Sequence, residues 1–408
     1  MKKIKVGIVG LGSRGISLLR DVILRMDDVE VLGVCDVYAD RAEAGAAMVR
    51  EARGTSPACT TDYQDLLAMA DIDAIVNTSA WQAHVPITLA AMRAGKAVGM
   101  EVGGAYSLAD CWALVHAYEE TGSTCMMLEN CCYGRTELMV LNMVRQGLFG
   151  DVVHCAGGYH HDLRKEIAYG RENRHYRLLE YLNRNCDNYP THELGPIAKL
   201  LDIHNGNRML ALNAFASKAA GMQAYVAAQK PDDEALRGRA FMQGDVVTTL
   251  IECAHGQTIA LTLDTTLPRA YNRGFRVRGT RAAYEEETHS VFVDGVHNAY
   301  DFKWREQWGN ADEYIRQYEH PIWDTYIQEG VRGGHEGIDW LVFRAFFESV
   351  MQGTEPPIDV YDTAAWMSIS ALSEQSIASG GARVAIPDFT NGRWMTKKPP
   401  LASPYNLR

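Results

Sequence analysis

The chain has 408 residues, of which 47% are hydrophobic and 22% charged, with a formal net charge of -11 and a pI near 5.6. This length predicts two domains, each large enough to bury its own core. The acidic balance, with no stripe of Lys and Arg, argues against nucleic acid or an anionic membrane surface as a partner. No apolar stretch of 18 residues occurs, which argues against a membrane-spanning helix.

The first residues, Met1-Lys2-Lys3-Ile4, lead directly into an alternating apolar run and leave no room for a signal segment, so we expect a cytoplasmic protein. Nine cysteines without a CxxC pair predict reduced thiols, with neither a disulfide framework nor a structural zinc site. A histidine-rich run includes His160 and His161, but neighbouring residues of a strand point to opposite faces. We therefore predict no bound metal.

The first 130 residues alternate short apolar runs with helical patterns, which is typical of a parallel sheet covered by helices. One helix should begin after Ser107, with Asp110 as an imperfect capping-box partner. The predicted strands of this region are 5–9, 29–35, 74–78, 97–101 and 125–128.

From about residue 151 the sequence changes to longer alternating stretches, which predict an open, mostly antiparallel sheet. These stretches are 246–252, 258–266 and 275–284, and helices are predicted near 191–201, 337–351 and 363–378. The predicted fold class is α/β: an N-terminal Rossmann domain and a C-terminal α+β domain for substrate binding and oligomerisation. We predict domains 1–130 and 131–408, with the boundary between 130 and 150. The tail from about 395 should be irregular, and it either packs on a partner subunit or frays.

Gly10-Leu11-Gly12-Ser13-Arg14-Gly15 follows the first predicted strand and opens a helix, the context that a dinucleotide-binding fingerprint needs. Its glycines would let backbone N–H groups approach a pyrophosphate at a helix N-terminus. Asp36 follows Gly15 by 21 residues, near the spacing expected for a ribose-binding acid. The acid favours NAD over NADP, although the nearby Arg41 leaves NADP open.

Further polar residues follow the later predicted strands, at the edge where open α/β sheets bind ligands. Asn77 and Thr78 end the third strand, and Trp81 and His84 come directly after it. His84 fits a helix cap equally well. Glu101 ends the fourth strand.

The fingerprint, the Asn77-Thr78 strand end and the Glu101 tripeptide resemble the Gfo/Idh/MocA superfamily of NAD(P)-dependent sugar-acting proteins. Dehydrogenases of that group usually show Glu-Lys-Pro where this chain has Glu101-Val102-Gly103. Their later pattern D-x-G-x-H-x-x-D reads here as residues 188–195, in which only His192 remains. Because valine cannot ionise, the resemblance leaves net oxidation or reduction in doubt.

At the positions where it differs from those dehydrogenases, the chain resembles glycoside hydrolase family 109. The members of this family are NAD-dependent enzymes typified by bacterial α-N-acetylgalactosaminidases. The similar segments, in order, are 126–133, 142–151, 189–196, 265–271 and 333–335. Relatives tend to carry Pro-Ala-Ala where this chain has Gly103-Gly104-Ala105, which predicts a looser loop beside the cofactor. We expect Glu101 either to hydrogen-bond the cofactor or to support the strand end, and Asn130 to belong to the cofactor site.

In that family a tyrosine and a histidine of the Y-P-T-H motif, an upstream arginine and a later tyrosine serve the substrate. By resemblance these roles fall on Tyr189, His192, Arg177 and Tyr271, with His335 as a further candidate for contact with sugar hydroxyls. Arg177 could equally be a surface ion-pair residue. The implied reaction oxidises the sugar at C3, eliminates the aglycone across C1 and C2, adds water and returns the hydride. It needs no pair of catalytic carboxylates.

Two alternatives remain: a sugar dehydrogenase that uses the same cofactor, and a noncatalytic NAD-binding or scaffold protein. The lost lysine and aspartates favour the hydrolase over the dehydrogenase. Proteins of the superfamily commonly pair through their open sheets, so the resemblance also implies a homo-oligomer, either a dimer or a tetramer. The expected ligand is a small carbohydrate, with no nucleic acid or membrane partner.

Overall fold

The computed structural model describes residues 3–300 and 303–408, so Met1 and Lys2, interpreted above, lie outside the described residues. Apart from the four undescribed positions, the chain forms two compact units. The first unit comprises 3–133, Thr325–Met367 and Pro399–Arg408, and the second comprises 134–300, 303–324 and Ser368–Lys398. Each unit is therefore discontinuous in sequence, whereas the predicted domains 1–130 and 131–408 were continuous.

The first unit contains a six-stranded parallel sheet with strand order β3-β2-β1-β4-β5-β6. Its strands are β1 (Ile4–Val9), β2 (Val29–Cys35), β3 (Ala58–Thr60), β4 (Ala74–Asn77), β5 (Ala97–Met100) and β6 (Cys125–Met127). This is the predicted Rossmann arrangement. The sequence did not predict β3, a three-residue edge strand with little apolar character.

Helices connect these strands, and apolar residues of the central strands such as Val6, Ile8 and Val76 form the buried core. The helices are α1 (Ser13–Asp21), α2 (Ala39–Arg53), α3 (Tyr63–Leu67), α4 (Trp81–Arg93) and α5 (Leu108–Thr121). The predicted capping box of α5 is confirmed, because Ser107 Oγ accepts from the Asp110 N–H and Asp110 Oδ2 accepts from the Ser107 N–H.

The second unit contains an eight-stranded sheet with strand order β13-β12-β11-β7-β10-β9-β8-β14. Its strands are β7 (Val152–His160), β8 (Met209–Ala216), β9 (Val246–Cys253), β10 (Thr258–Asp264), β11 (Arg276–Gly279), β12 (Ala282–Glu285), β13 (Ser290–Val293) and β14 (Val384–Ala385). Only β7 and β10 pair in parallel, so the predicted mostly antiparallel sheet is confirmed. Burial alternates along β9 and β10, which leaves one sheet face covered and one face partly exposed.

The single predicted stretch 275–284 is wrong, because it forms a hairpin of β11 and β12. The chain turns after Gly279, where a Cβ would lie 2.2 Å from the carbonyl oxygen of Phe149. The apolar residues are Phe275 and Val277 before the turn but Ala282 and Tyr284 after it, so the alternation changes phase at the turn. The prediction of a single strand overlooked this change.

The remaining helices include the three that the sequence predicted near 191–201, 337–351 and 363–378. They are α6 (Arg135–Arg145), α7 (Arg164–Ala168), α8 (Arg177–Asn183), α9 (Thr191–Leu200), α10 (Gly221–Gln229), α11 (Ala311–Tyr318), α12 (Pro321–Glu329), α13 (Ile338–Gln352) and α14 (Val360–Ala378). Short 3-10 turns lie at Ile23–Arg25, Asn130–Tyr133, Trp304–Gln307, His335–Gly337 and Arg393–Met395. Among the described residues, no helix combines the length and the apolar character that a membrane span requires.

The last residues form neither a helix nor a strand, as expected, but they pack within their own chain. Leu407 is buried, and the carbonyl of Tyr405 accepts from the Tyr133 hydroxyl at 3.1 Å. Arg408 donates to Glu355 at 2.8 Å. These contacts hold residues 399–408 in the first unit.

Candidate active site

The turn between β1 and α1 has the backbone geometry that a dinucleotide pyrophosphate requires. Gly10 has φ +98°, and a Cβ there would lie 2.4 Å from the backbone nitrogen of Ser79. A Cβ on Gly15 would lie 2.0 Å from the Gly10 carbonyl oxygen. Gly12 is the N-cap of α1, and among the described residues no side chain caps that helix. The start of α1 therefore offers backbone N–H groups to an anion, as a bound NAD would need.

Asp36, the predicted ribose-binding acid, lies directly after β2 beside this turn. Its Oδ2 accepts from the N–H of Leu11 at 2.7 Å, and its Oδ1 accepts from the N–H of Tyr38 at 3.0 Å. These bonds fix the carboxylate where acids of Rossmann folds meet a ribose hydroxyl. Ser13, the first residue of α1, is exposed at the same turn.

Asn77 and Thr78 support the glycine turn and the start of α4 through bonds within the chain. Thr78 Oγ1 donates to the carbonyl of Gly10 at 2.5 Å. The Asn77 amide donates to the carbonyl of His84 at 2.9 Å and accepts from the Ser79 hydroxyl at 2.6 Å. Both side chains are buried, and their polar atoms form hydrogen bonds that stabilise the backbone at this strand end.

Val102 and the two glycines after it form a closely packed loop. The Val102 side chain is buried, and its carbonyl accepts from Trp81 Nε1 at 3.0 Å. Gly103 and Gly104 have φ +81° and +96°, and a Cβ on either would lie 2.6 Å from the side chain of Trp81 or His84. The expectation of a looser loop is therefore wrong, because these glycines allow a contact that alanine would prevent.

His84 holds the same loop from inside α4. Its Nδ1 lies 3.0 Å from the carbonyl oxygen of Gly103, and its Nε2 lies 2.9 Å from that of Ser79. Burial lowers the pKa of His84, although both carbonyls and the charge of Glu101 oppose the shift. The ring thus connects two strand ends of the predicted cofactor site.

One buried carboxylate connects three residues that the sequence predicted for cofactor binding. Asp339, in the first turn of α13, accepts two hydrogen bonds of 2.8 Å from the Arg14 guanidinium and one of 2.7 Å from the Asn130 amide. Arg14 also donates from Nε to Glu101 at 3.1 Å. The Nδ1 of His335 lies 2.7 Å from Asp339 Oδ2. We call these five residues the Asp339 network, and all of them belong to the first unit.

Asp339 stays ionised in this network. Burial raises its pKa, but hydrogen bonds from His335 and Arg14 outweigh burial and hold the pKa well below the ordinary range of an aspartate. Sequence reasoning missed this residue because it lies 209 positions after Asn130. Its only signal was its place just after the Gly333-Gly334-His335 segment. The predicted contact of His335 with sugar hydroxyls stays a prediction.

In the second unit, Tyr189 and His192 lie at the start of α9 with their rings in contact. Pro190 is the N-cap of α9 and Thr191 its first residue, which places the two rings on neighbouring turns. Their centroids are 4.7 Å apart and their planes stand at 89°. Tyr189 is buried and His192 is half-buried.

Arg177 packs against Tyr189 as a buried cation. Its Cζ lies 5.1 Å from the centroid of the Tyr189 ring, and its Nε lies 2.7 Å from Glu166 Oε1. Burial lowers its pKa, but nearby groups, led by Tyr176, raise that pKa well above the ordinary value. The alternative of a surface ion-pair residue is therefore wrong, since the side chain is only 8% exposed.

Tyr159 and His161 belong to the same cluster, and sequence reasoning missed both. The Tyr159 ring centroid lies 4.4 Å from that of Tyr189 and 5.2 Å from that of His192. Its hydroxyl lies 2.9 Å from His161 Nδ1. Burial and then the charge of Arg177 lower the pKa of His161. Tyr159 and His161 are two residues apart, so the two-residue period of a strand places them on one face of the sheet. This was the signal that could have identified them, but the histidines were treated only as possible metal ligands.

Tyr271 completes this ring cluster from the segment after β10. Its ring centroid lies 5.1 Å from that of His161 and 6.3 Å from that of Tyr159. The residue is 51% exposed, so about half of its surface is open to a ligand. The cluster therefore contains Tyr159, His161, Arg177, Tyr189, His192 and Tyr271.

Asp187, two residues before Tyr189, is a buried acid. It is 1% exposed, and its Oδ2 accepts from Thr249 Oγ1 at 3.2 Å. Burial raises the pKa of Asp187 to about 7, although the bonds from Thr249 and from the Tyr189 backbone oppose the shift. The carboxyl group holds the chain just before α9.

Arg273 connects the segment of Tyr271 with the helix of His192. Its Nε lies 3.3 Å from Glu193 Oε2, and its Nη2 bonds to Glu137 of α6. The side chains of both glutamates are at most 4% exposed. Gly157 of β7 makes room, because a Cβ there would lie 1.9 Å from the Glu193 side chain.

Comparison with known proteins gives two family matches that cover most of the chain. Residues 4–129 match the oxidoreductase family with an NAD-binding Rossmann fold, and residues 133–396 match the C-terminal domain of glycosyl hydrolase 109. A glycosyl hydrolase family 109 protein of Stenotrophomonas maltophilia is 38% identical, over 98% of this chain and 92% of that protein. The α-N-acetylgalactosaminidase of Tannerella forsythia is 35% identical, over 98% of this chain and 89% of that protein.

Among solved structures, the fold resembles the WlbA dehydrogenase of Bordetella pertussis in complex with NADH and UDP-GlcNAcA. The TM-score is 0.67, with 15% identity over 95% of this chain and 98% of that one. At this identity the likeness concerns the fold alone.

The Rossmann unit with its glycine turn and Asp36 defines an NAD-dependent enzyme of the Gfo/Idh/MocA type. Within that class, the chain belongs to glycosyl hydrolase family 109 and is a glycosidase that uses NAD.

Proposed function

We propose that this enzyme cleaves a terminal glycoside, an α-N-acetylgalactosaminide or a related hexoside, without net oxidation or reduction. The observation that carries the proposal is the cluster around Tyr189 and His192, in which a buried arginine packs against a phenol next to an imidazole. The name of the Tannerella forsythia relative supports the sugar class. Val102 supports the absence of net redox chemistry, since it offers no proton at the usual lysine position.

NAD supplies the redox chemistry when bound, because it can take hydride from the sugar C3 and later return it. His192 takes the proton of the C3 hydroxyl at a ring nitrogen as that carbon becomes a ketone. The ketone acidifies the hydrogen at C2, and the Tyr189 oxygen takes that proton as the bond from C1 to the aglycone breaks. Tyr271 either donates a proton to the departing aglycone oxygen or orients the water that adds later.

Arg177, whose guanidinium packs against the Tyr189 ring, stabilises negative charge that develops on the Tyr189 oxygen. Water then adds at C1, C2 regains its proton and the C3 hydroxyl is restored. Each proton that the cluster accepts is returned within one turnover. Hydrolysis is therefore the only net change.

The test is to incubate the purified enzyme with aryl glycosides of several sugars, including aryl α-N-acetylgalactosaminide, and to follow aglycone and NADH together. We expect aglycone release without net NADH. Accumulation of NADH without aglycone would favour the alternative, a sugar dehydrogenase. Silence in both signals with every sugar would favour a noncatalytic NAD-binding protein.

Two further measurements test the steps themselves. A substrate deuterated at C2 should show a primary isotope effect or exchange with solvent, and the absence of both would contradict elimination. The Val102→Lys variant should not accumulate NADH, because the proton-transfer groups lie in the Tyr189 cluster. Strong net NADH formation by that variant would contradict this assignment.

A further inference from the structure

Asp339 stands out among the buried charges because a single carboxylate receives contacts from three separate segments. The glycine turn provides Arg14, the segment after β6 provides Asn130, and the 3-10 turn before α13 provides His335. A fourth segment joins through the bond from Arg14 to Glu101. The chain around 335 is itself unusual, since His335 and Glu336 both have positive φ, at +48° and +55°.

We propose that Asp339 is a positioning residue for NAD binding, which acts through Arg14 and Asn130. Its carboxylate fixes the Arg14 side chain through two hydrogen bonds, and this contact holds the turn whose backbone N–H groups would meet the pyrophosphate. It also fixes the amide of Asn130 beside the strand ends. The site is thereby organised before the cofactor arrives, which lowers the cost of ordering it on binding.

The geometry favours this role over a general contribution to stability. The two parallel bonds from Arg14 form the bidentate arrangement that fixes orientation as well as distance. The Asp339 side chain is 2% exposed, so solvent does not screen the contact, whereas the Arg14 side chain remains 32% exposed. Arg14 is thus held by a buried anchor while its turn stays accessible.

The chain offers a matched control in a second ion pair between α13 and the Rossmann sheet. Arg344 of α13 donates from Nη1 to both carboxylate oxygens of Asp28, each at 2.8 Å. Asp28 precedes β2 and has no bond to the glycine turn, to Glu101 or to Asn130 in the part of the chain that the structure describes. Loss of this pair would weaken the attachment of α13 without reaching the cofactor residues.

The experiment compares Asp339→Asn, Asp28→Asn and the parent full-length protein. NAD that remains per chain after dialysis is quantified by acid extraction, and NADH affinity is measured by fluorescence titration. We expect Asp339→Asn to bind NADH about ten- to a hundred-fold more weakly, since it loses charge-assisted hydrogen bonds. Asp28→Asn should stay within about two-fold of the parent protein.

Two further variants keep the test decisive if Asp339→Asn folds poorly. His335→Ala removes a side chain that is 63% exposed, and it should weaken NADH binding by a few-fold while the protein stays folded. The double variant Arg14→Gln/Asp339→Asn should bind NADH only slightly more weakly than Arg14→Gln alone, because both residues act through one contact. Unchanged NADH binding in Asp339→Asn and His335→Ala, or equal loss in Asp28→Asn, would overturn the proposal. These readouts measure cofactor binding and are independent of glycoside cleavage.

Discussion

Val102 occupies the position at which dehydrogenases of the Gfo/Idh/MocA superfamily usually carry a lysine. Tyr189 and His192 were predicted from the resemblance of residues 189–192 to the Y-P-T-H motif of family 109. Tyr159 and Asp339 were not predicted. A lone tyrosine on a strand resembles any core residue, and no local pattern connects Asp339 with Asn130.

Asp187 gives a prediction at the residue scale. Because its folded-state pKa of about 7 exceeds the ordinary value of 3.8, its stabilising contribution is fully present below pH 3.8 and is lost as the pH rises to about 7. The loss is on the order of 4 kcal/mol. We expect the parent protein to lose more free energy of unfolding between pH 5 and pH 8 than Asp187→Asn does.

Urea unfolding of both proteins at the two pH values measures this difference. Asp71→Asn serves as the control, since that side chain is 80% exposed and its ion-pair partner is a lysine, Lys5. Parallel pH curves for the parent protein and Asp187→Asn would contradict a buried acid that titrates near neutral pH.

At the scale of elements, seven of the eight strands that the sequence predicted agree with the structure within two residues at each end, and the helices predicted near 191–201, 337–351 and 363–378 agree within three. Long periodic stretches such as β9 and α13 carry strong patterns, because one face of each is buried. The sequence did not predict β3, β7, β8, β13 or β14, and it missed the turn between β11 and β12. The shortest of these strands, β3 and β14, contain too few residues to show a pattern. The sequence also did not predict that Arg273 attaches α9 to the Tyr271 segment, because this pairing depends on tertiary contacts.

Arg273 gives a prediction for this attachment. Arg273→Ala leaves Glu193 and Glu137 buried without their shared guanidinium, so we expect the free energy of unfolding to fall by about 3–5 kcal/mol. Turnover of the aryl glycoside should fall about a hundred-fold if His192 and Tyr271 shift by about 1 Å. Urea unfolding and initial rates measure the two effects.

The matched control for this variant is Arg278→Ala on β11. Arg278 is 47% exposed and pairs with Glu285 on the neighbouring strand. Its loss should change the free energy of unfolding by at most about 0.5 kcal/mol. Equal effects of the two substitutions would show that Arg273 does not hold the cluster in place.

At the scale of the whole molecule, the partly exposed face of the eight-stranded sheet presents apolar side chains. Phe215 of β8 is 62% exposed and Leu250 of β9 is 48% exposed, and β8 and β9 are adjacent strands. Exposed apolar side chains on adjacent strands suit burial against a second copy of the chain. The homo-oligomer stays a prediction.

Sedimentation of the parent protein and of Leu250→Asp tests this expectation. We expect a dimer or tetramer for the parent protein and a smaller species for Leu250→Asp, because a charge on the face opposes its burial. Val296→Asp, at a position 70% exposed outside the strands, should leave the assembly unchanged. A monomeric parent protein would contradict the expectation.

The discontinuity of the first unit has a consequence for the order of synthesis. The ribosome makes the glycine turn, Asp36 and Asn130 long before it makes Asp339, since 209 positions separate the last two. A nascent chain that ends shortly after Asn130 therefore contains the glycine fingerprint but lacks Asp339, which holds Arg14 in the complete chain. If Asp339 organises the site, high-affinity NAD binding begins only after most of the second unit has been translated. Tight binding of NAD would then distinguish nearly complete chains from shorter nascent ones.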